Sequence, residues 1–306
     1  MDTAFVIATI GRAFTAGTPL LLATLGEIIA ERAGVMNLGI EGMMALGAVA
    51  GFGVSLESGS PWLGMLAAAL AGISLSAIHA FVTIGMRAGQ IVSGIALTMF
   101  GLGLSALIGK GYIGRPLQTP LHSITIPGLA DLPFIGDILF RRDPIFYFAI
   151  IIAALIWIIL YKTRWGIAIR SVGENPLAAE TMGVDVAWVR VWCVLFGGAL
   201  SGIAGGYLSI VYNPSWIEGM TAGRGWIVIA LVIFSFWNPL RAVVAAFLFG
   251  GIDVMQFSLQ SLGISPNLLR MFPYVATIVA LLITSSSITR RHISAPEALG
   301  EPYQPR

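Results

Sequence analysis

What this sequence has least of is charge. Its 306 residues include 15 acids and 17 Lys or Arg, 10% of the chain, where a soluble domain carries about 25%. A soluble chain of this length cannot cover itself with so little polar surface. A soluble enzyme, a nucleic-acid-binding protein and a disordered chain are thereby excluded. Cysteine is nearly missing too: Cys193 is the only one, which removes a disulfide framework and a multi-cysteine metal site. The three histidines, His79, His122 and His292, stand in separate segments, and there is no His-Glu-x-x-His pattern. The nearest approach to a phosphate loop, GLSALIGKG (103–111), has one residue too many between its glycines. Gly111 stands where Ser or Thr should hold magnesium. The chain therefore reads as a non-enzyme that binds no cofactor of its own. Alternating apolar and polar ten-residue segments, the mark of a membrane β-barrel, are absent from runs such as IFYFAIIIAALIWIILY (145–161).

What is present is apolar. Residues of the AVILMFWYC set make up 57%, and the mean hydropathy is +0.88. A membrane helix takes about 20 apolar residues. The fold class that follows is all-α: a polytopic membrane helical bundle of about nine spans, some broken, in one domain over 1–288. The 37 glycines favour close helix packing. Residues 4–16 lack a basic start and a cleavage site and read as an interfacial amphipathic helix. A membrane helix begins at 18–30, breaks near 31–42 and continues to about 54. Clear spans follow at 61–85, 90–108, 144–161 and 188–211. A glycine-broken pair is expected at 224–237 and 239–260, and a last span at 267–287. Four prolines, Pro116, Pro120, Pro127 and Pro133, with Pro144 just beyond, make 109–143 an irregular excursion outside the membrane. The tail, 289–306, is polar and expected to be mobile. Placing 162–187 in the cytoplasm puts ten Lys or Arg inside and seven outside, which sets the C-terminus inside.

Three stretches carry the chemistry. In 162–187, Asn175 can cap a helix, Pro176 fits its first position, LAAETM gives about two turns, and Gly183 can close it in the left-handed conformation. The result is a short helix outside the membrane, either an ordered loop or a lever. As a lever, Leu177, Ala178 and Ala179 would enter a cleft on a cytoplasmic partner, and Ala179→Arg would uncouple transport. In 26–44, Glu27, Glu31, Arg32 and Glu41 crowd a largely apolar region, and Gly34, Gly39 and Gly42 flank Asn37 and permit a break. Such acids face the bundle interior, water or each other; a solvated turn is the alternative. In 213–226, Trp216 and Trp226 are interfacial anchors or part of a gate, with Glu218 and Arg224 available to a docking protein. Asp253 is an acid inside a late span, functional or merely hydrogen-bonded to a neighbouring helix. His79 reads as satisfied by a backbone carbonyl. Gly198, Gly202 and Gly206 form a small-residue packing stripe.

These stretches also carry a resemblance. GENPLAAETMGV (173–184), GEIIAERAGVMNLGIEGMM (26–44) and NPSWIEGMTAGRGWIVIAL (213–231) resemble, in order, ABC-importer permeases of the branched-chain amino acid, ribose and nucleoside type. The second stretch resembles the nucleoside and simple-sugar subgroup. The match covers nearly the whole chain, apart from a missing full apolar span before residue 18. The resemblance implies a multi-pass plasma-membrane subunit paired with a second permease, the same or paralogous. It also implies two cytoplasmic ATPases that bind ATP and magnesium, and an extracytoplasmic substrate-binding protein. It makes Gly173, Glu174, Asn175, Pro176, Ala178, Ala179, Glu180 and Gly183 the ATPase-coupling segment. Glu27, Asn37, Gly39, Glu41 and Asp253 become candidates for the translocation path. Trp216, Glu218 and Arg224 become candidates for an outer gate or docking surface. The solute expected is a nucleoside or related small ring compound, with a pentose next. An ion-driven secondary transporter using Asp253 or Glu27 is the competing class, and a structural scaffold a further one.

Overall fold

A computed structural model describes residues 3–132, 134–259, 265, 268, 271–284 and 295–303. Its long elements are α1 (Thr3–Arg32), α2 (Ile40–Ser58), α3 (Pro61–Ala80), α4 (Gln90–Gly109), α6 (Pro144–Lys162), α9 (Val186–Tyr207) and α11 (Pro239–Leu259). Between α4 and α6 lie a short helix, α5 (Ile135–Leu139), and a two-stranded ribbon of β1 (Ile124–Thr125) and β2 (Arg141–Arg142). Helices α7 (Arg164–Glu174) and α8 (Pro176–Thr181) occupy the polar loop. Two shorter apolar helices, α10 (Arg224–Phe234) and α12 (Phe272–Thr284), complete the set. Seven helices among the described residues are long and apolar enough to cross a bilayer, so the chain is an all-α polytopic bundle. With α10 and α12 the apolar helices number nine among the described residues.

Local chemistry sets the helix starts. Ser60, Asp143 and Asp185 each accept a hydrogen bond from a first-turn N–H of α3, α6 and α9, satisfying donors that a helix end leaves open. Pro61 and Pro144 occupy first positions, where the missing N–H costs nothing.

Two expectations are corrected. Residues 4–16 are not a separate interfacial helix: α1 runs unbroken through Pro19. The side chains of 16–31 are almost all buried, and tertiary contacts there hold the helix together across the proline. Residues 224–237 are not a full span, because α10 has 11 residues, about 16 Å at helical rise, or half of a ~30 Å hydrocarbon core.

The core is built on glycine. Helix α9 packs against α1, α2 and α3. A Cβ on Gly202 would meet the backbone of Ala68 and Gly72 on α3, and one on Gly47 of α2 would meet Gly202 itself. The 198–202–206 stripe therefore packs within the bundle, while Gly197 and Gly205 on the adjoining face meet Gly26 of α1 and Met44 of α2. The outer faces of α3, α4 and α6 expose Leu66, Leu70, Val92, Met99, Ile151 and Leu155, the apolar surface expected against lipid.

Relative sidedness follows from contacts. Leu117 N–H donates to the Pro214 carbonyl (2.9 Å), and Arg142 donates to Gly11 near the start of the chain (2.9 Å). The 109–143 excursion, residue 214 and the beginning of α1 thus share one end of the bundle. At the other end Ala298 N–H donates to the Gly173 carbonyl (2.9 Å). There Leu299 and Tyr303 pack on the core, and the Arg190 guanidinium stacks on the Tyr303 ring at 5.6 Å. Residues 295–303 of the tail are thus held rather than free. His292 and residues 304–306 lie outside the described residues.

Candidate functional site: a broken helix beside an internal cavity

The break between α1 and α2 climbs into the bundle. Met36 N–H donates to Oε1 of Gln90, at the start of α4 (2.7 Å). Thr98 donates to the Leu38 carbonyl (2.8 Å) and Ser105 to the Ala45 carbonyl (2.9 Å). Thr98 and Ser105 lie about 12 and 22 Å beyond Gln90 at helical rise. The segment therefore starts at the end that holds the tail and rises to mid-depth. Irregular backbone at such depth needs internal partners, and it has them. Asn37 N–H donates to Oε1 of Glu27 (2.8 Å), and the Asn37 side-chain oxygen accepts from Gly39 N–H (2.9 Å). His79 Nε2 lies 3.1 Å from the Met36 carbonyl and Nδ1 lies 3.0 Å from the Ser93 hydroxyl. A carbonyl only accepts, so Nε2 donates, and in the neutral ring Nδ1 accepts from the Ser93 hydroxyl. Gly34 takes φ +82°, a conformation that suits glycine.

The acids are not solvated. Glu27, Glu31 and Glu41 are 2%, 2% and 4% exposed. Glu31 accepts from the Trp237 indole N–H (2.5 Å), and Arg32 donates to the carbonyls of Phe236 and Trp237. This ties the end of α1 to the turn between α10 and α11. Glu41 makes a different junction. Its Oε1 accepts from the Thr221 hydroxyl (2.6 Å) and Gly223 N–H (2.9 Å), and its Oε2 from Gly225 N–H (2.6 Å). The carboxylate closes the N-terminus of α10, where the helix dipole favours negative charge, and fixes that half-helix at mid-depth.

Beside this junction lies a cavity of about 490 Å³ between α1, α10, α11 and α12. Its polar wall is Arg224, Asp253 and Gln256, and Leu20, Ile227, Phe249 and Tyr274 line much of the rest. Asp253 pairs with Arg224 (3.0 Å) and accepts from Gln256 (2.7 Å). The Tyr274 hydroxyl donates to the Ala222 carbonyl (2.7 Å). Asp253 is thus brought beside the 221–225 turn that Glu41 fixes. Glu27 and Asn37 lie lower, at the foot of the break.

The outer-stretch residues separate. Trp216 is 2% exposed and fills the space over Gly109, where a Cβ would overlap its ring, so it offers no docking surface. Arg224 is taken by Asp253. Glu218 is exposed, and Trp226 is 43% exposed. In the polar loop, Asn175 accepts from Ala178 N–H (3.0 Å) and Gly183 takes φ +82°. The two alanines divide: Ala179 is 3% exposed and packs in the core, whereas Leu177 and Met182 are 38% and 84% exposed and Ala178 is also outward. The outward face of α8 is therefore Leu177, Ala178 and Met182, and Ala179→Arg would disturb packing first. Gly173 packs against Arg32 and Gly34, where a Cβ would meet the Arg32 carbonyl. Glu174 is exposed and Glu180 half-buried.

Sequence reasoning missed Gln256, Tyr274, Trp237 and Thr221. Gln256 stands one turn from Asp253 and shares its face, a signal that was readable. The others meet their partners across long separations and left none.

The whole span from residue 9 to 281 matches the family described as branched-chain amino acid transport system, permease component. The chain belongs to this family. The guanosine ABC transporter permease protein NupQ of Bacillus subtilis is 38% identical over 302 residues, covering 93% of this chain and 92% of its own. A protein of Haloferax volcanii, TsgC13, provisionally named a glucose ABC transporter permease protein, is 37% identical over 98% of both chains. The nucleoside ABC transporter permease protein NupC of Lactococcus lactis is 34% identical over 87% of this chain and 88% of its own. No solved structure matches this permease.

Proposed function

We propose that this permease is the membrane-spanning subunit of an ATP-driven importer for a nucleoside, with a simple sugar as the second candidate. The relatives that cover nearly the whole chain are named for nucleoside, guanosine and glucose transport, which supports both solutes. The observation that carries the mechanism is the position of α8. Its outward Leu177, Ala178 and Met182 form a small exposed apolar face, with Met182 84% and Leu177 38% exposed. Behind it, Gly173 lies directly on the Arg32–Gly34 turn that opens the broken helix. A push on α8 therefore reaches the Glu27–Asn37 joint through one layer of backbone.

In this reading two such chains, the same or paralogous, form the path. Two cytoplasmic ATPases holding ATP and magnesium grip the α8 faces. An extracytoplasmic binding protein delivers solute at the opposite end, near Glu218. The 162–187 loop and residues 295–303 lie on the cytoplasmic side of the plasma membrane. The excess of Lys and Arg at that end supports this orientation. ATP closure of the ATPase pair shifts α8, and the broken segment with its Glu41-bound half-helix switches the side to which the cavity opens. Arg224 and Asp253 gate the cavity as a matched pair, which favours this reading over an ion-coupled carrier with Asp253 as a free ion site.

The test is co-expression with candidate ATPase, second-permease and binding-protein subunits from the same organism. Expected is a stable complex whose liposomes take up guanosine or glucose only with ATP and the binding protein. Uptake driven by a proton or sodium gradient, with no ATPase retained, would refute the proposal.

A further inference from the structure

The cavity beside Glu41 is two-sided in its chemistry. Helical rise along α11 from Pro239 puts Phe249 about 15 Å and Asp253 about 21 Å from the end that holds the tail. With Gln256 at about 26 Å, the space reaches from the middle of a ~30 Å core toward its far side. Substrate sites of transporters form at this level, where a broken helix ends. The volume, about 490 Å³, falls in the range of about 300–1,000 Å³ typical of small-molecule sites.

Its charges are matched in place. Asp253 faces Arg224 at 3.0 Å, and Glu41 occupies the donors of the α10 N-terminus. Among the described lining residues no unbalanced charge remains to draw in a phosphate or an ammonium group, so the space suits an uncharged solute. Its polar groups also stand on one wall only. A hexose carries hydroxyls around its whole ring, and Phe249 with Ile227 would leave several without partners, which is costly in a buried site. A nucleoside is itself two-sided, with a hydroxyl-rich sugar at one end and a flat base with apolar faces at the other.

We infer that this chamber binds the nucleoside in transit, with Asp253 and Gln256 engaging the sugar hydroxyls and Tyr274, exposed at the rim, lying against the base. The Asp253 carboxylate accepts from hydroxyls, and the Gln256 amide both donates and accepts. Tyr274 stands at the rim, 42% exposed, with its hydroxyl tied to the Ala222 carbonyl, so the ring is oriented before the solute arrives. The inference rests on the importer reading and adds the chamber, its contact residues and a physical ground for preferring the nucleoside over the sugar.

The test uses the assembled transporter in liposomes, with Cys193→Ala in this chain and a reporter cysteine at Ala222→Cys, an exposed position of the lining. Guanosine, delivered with the binding protein and ATP, is expected to slow maleimide labelling of the reporter, and D-glucose is not. In a separate variant, Gln256→Leu is expected to lower guanosine carried per ATP hydrolysed about tenfold, equivalent to ~1.4 kcal/mol. A merely structural change would instead lower assembly and hydrolysis together. Labelling unaffected by guanosine in liposomes that do import it overturns the chamber assignment and leaves the importer reading intact. ATP-driven import of glucose without guanosine overturns the solute class. Liposomes that import neither solute on ATP addition overturn the importer reading and this inference with it.

Discussion

Glu41 offers the sharpest test of the fold around the site. Its side chain is 4% exposed and accepts from three donors: the Thr221 hydroxyl, Gly223 N–H and Gly225 N–H. Replacing it by alanine leaves all three without an acceptor inside the bundle. A buried donor without a partner costs about 1–3 kcal/mol. The Thr221 hydroxyl can turn to a helix carbonyl, but the two backbone N–H groups cannot. A net loss of roughly 3–5 kcal/mol follows, the scale seen when one partner of a buried charged contact is removed. At about 2–4 °C per kcal/mol, the midpoint of thermal unfolding in detergent should fall by roughly 6–20 °C. Glu41→Gln should fall in between, because its amide sets N–H against the Gly225 N–H. Glu57→Ala, on the exposed end of the same helix, is the control and should change little. If Glu41→Ala unfolds at the wild-type temperature, Glu41 does not hold the start of α10, and the half-helix must be fixed by other contacts.

Three further outcomes are expected. Ala178→Arg should abolish transport-coupled ATP hydrolysis while the subunit assembles and melts normally. Ala179→Arg, aimed into the core, should lower yield and melting temperature; equal behaviour of the two would refute the division of α8 into faces. Gly202→Ala forces a Cβ onto the Ala68 carbonyl and should cost about 1–3 kcal/mol. Gly103→Ala, with nothing within 4 Å, should be neutral or gain up to about 1 kcal/mol of helix stability, so a melting comparison of the pair reads packing directly. Tyr303→Ala removes the stack on Arg190 and should lower stability by roughly 1–2 kcal/mol and speed proteolysis of the tail; an unchanged digestion pattern would mean that residues 295–303 are not held.

Some of the site was plain in the sequence. Asn175, Pro176 and Gly183 write a cap, a start and a stop within nine residues, and that helix formed as spelled because its signals are local. The glycines around Asn37 announced a break for the same reason. The faces of α8 were not legible, since Ala178 and Ala179 are chemically identical and only their neighbours distinguish them. Trp216 read as an anchor or gate because tryptophan favours interfaces. Its burial depends on Gly109, more than a hundred residues away. The expected helix over 224–237 looked like a span because 226–234 is apolar throughout. It starts at mid-depth because a carboxylate from α2 waits there.

The sequence by itself determined the solvent of this protein and the approximate places where the chain crosses it. Few charges and many apolar residues admit only a lipid-embedded bundle, since transfer energy depends on composition and little on partners. It also determined where the exceptions stand, because a charge in such a chain is conspicuous wherever it falls. The tertiary structure decided what each exception is for. Arg224 could have met an outside protein and meets Asp253. Glu41 could have met water and meets the end of a half-helix. The tail could have been free, and residues 295–303 rest on Gly173 and Arg190. Electrostatic and hydrogen-bond partners are chosen by proximity in space, and in a bundle of helices that proximity joins residues as far apart as Glu41 and Gly225.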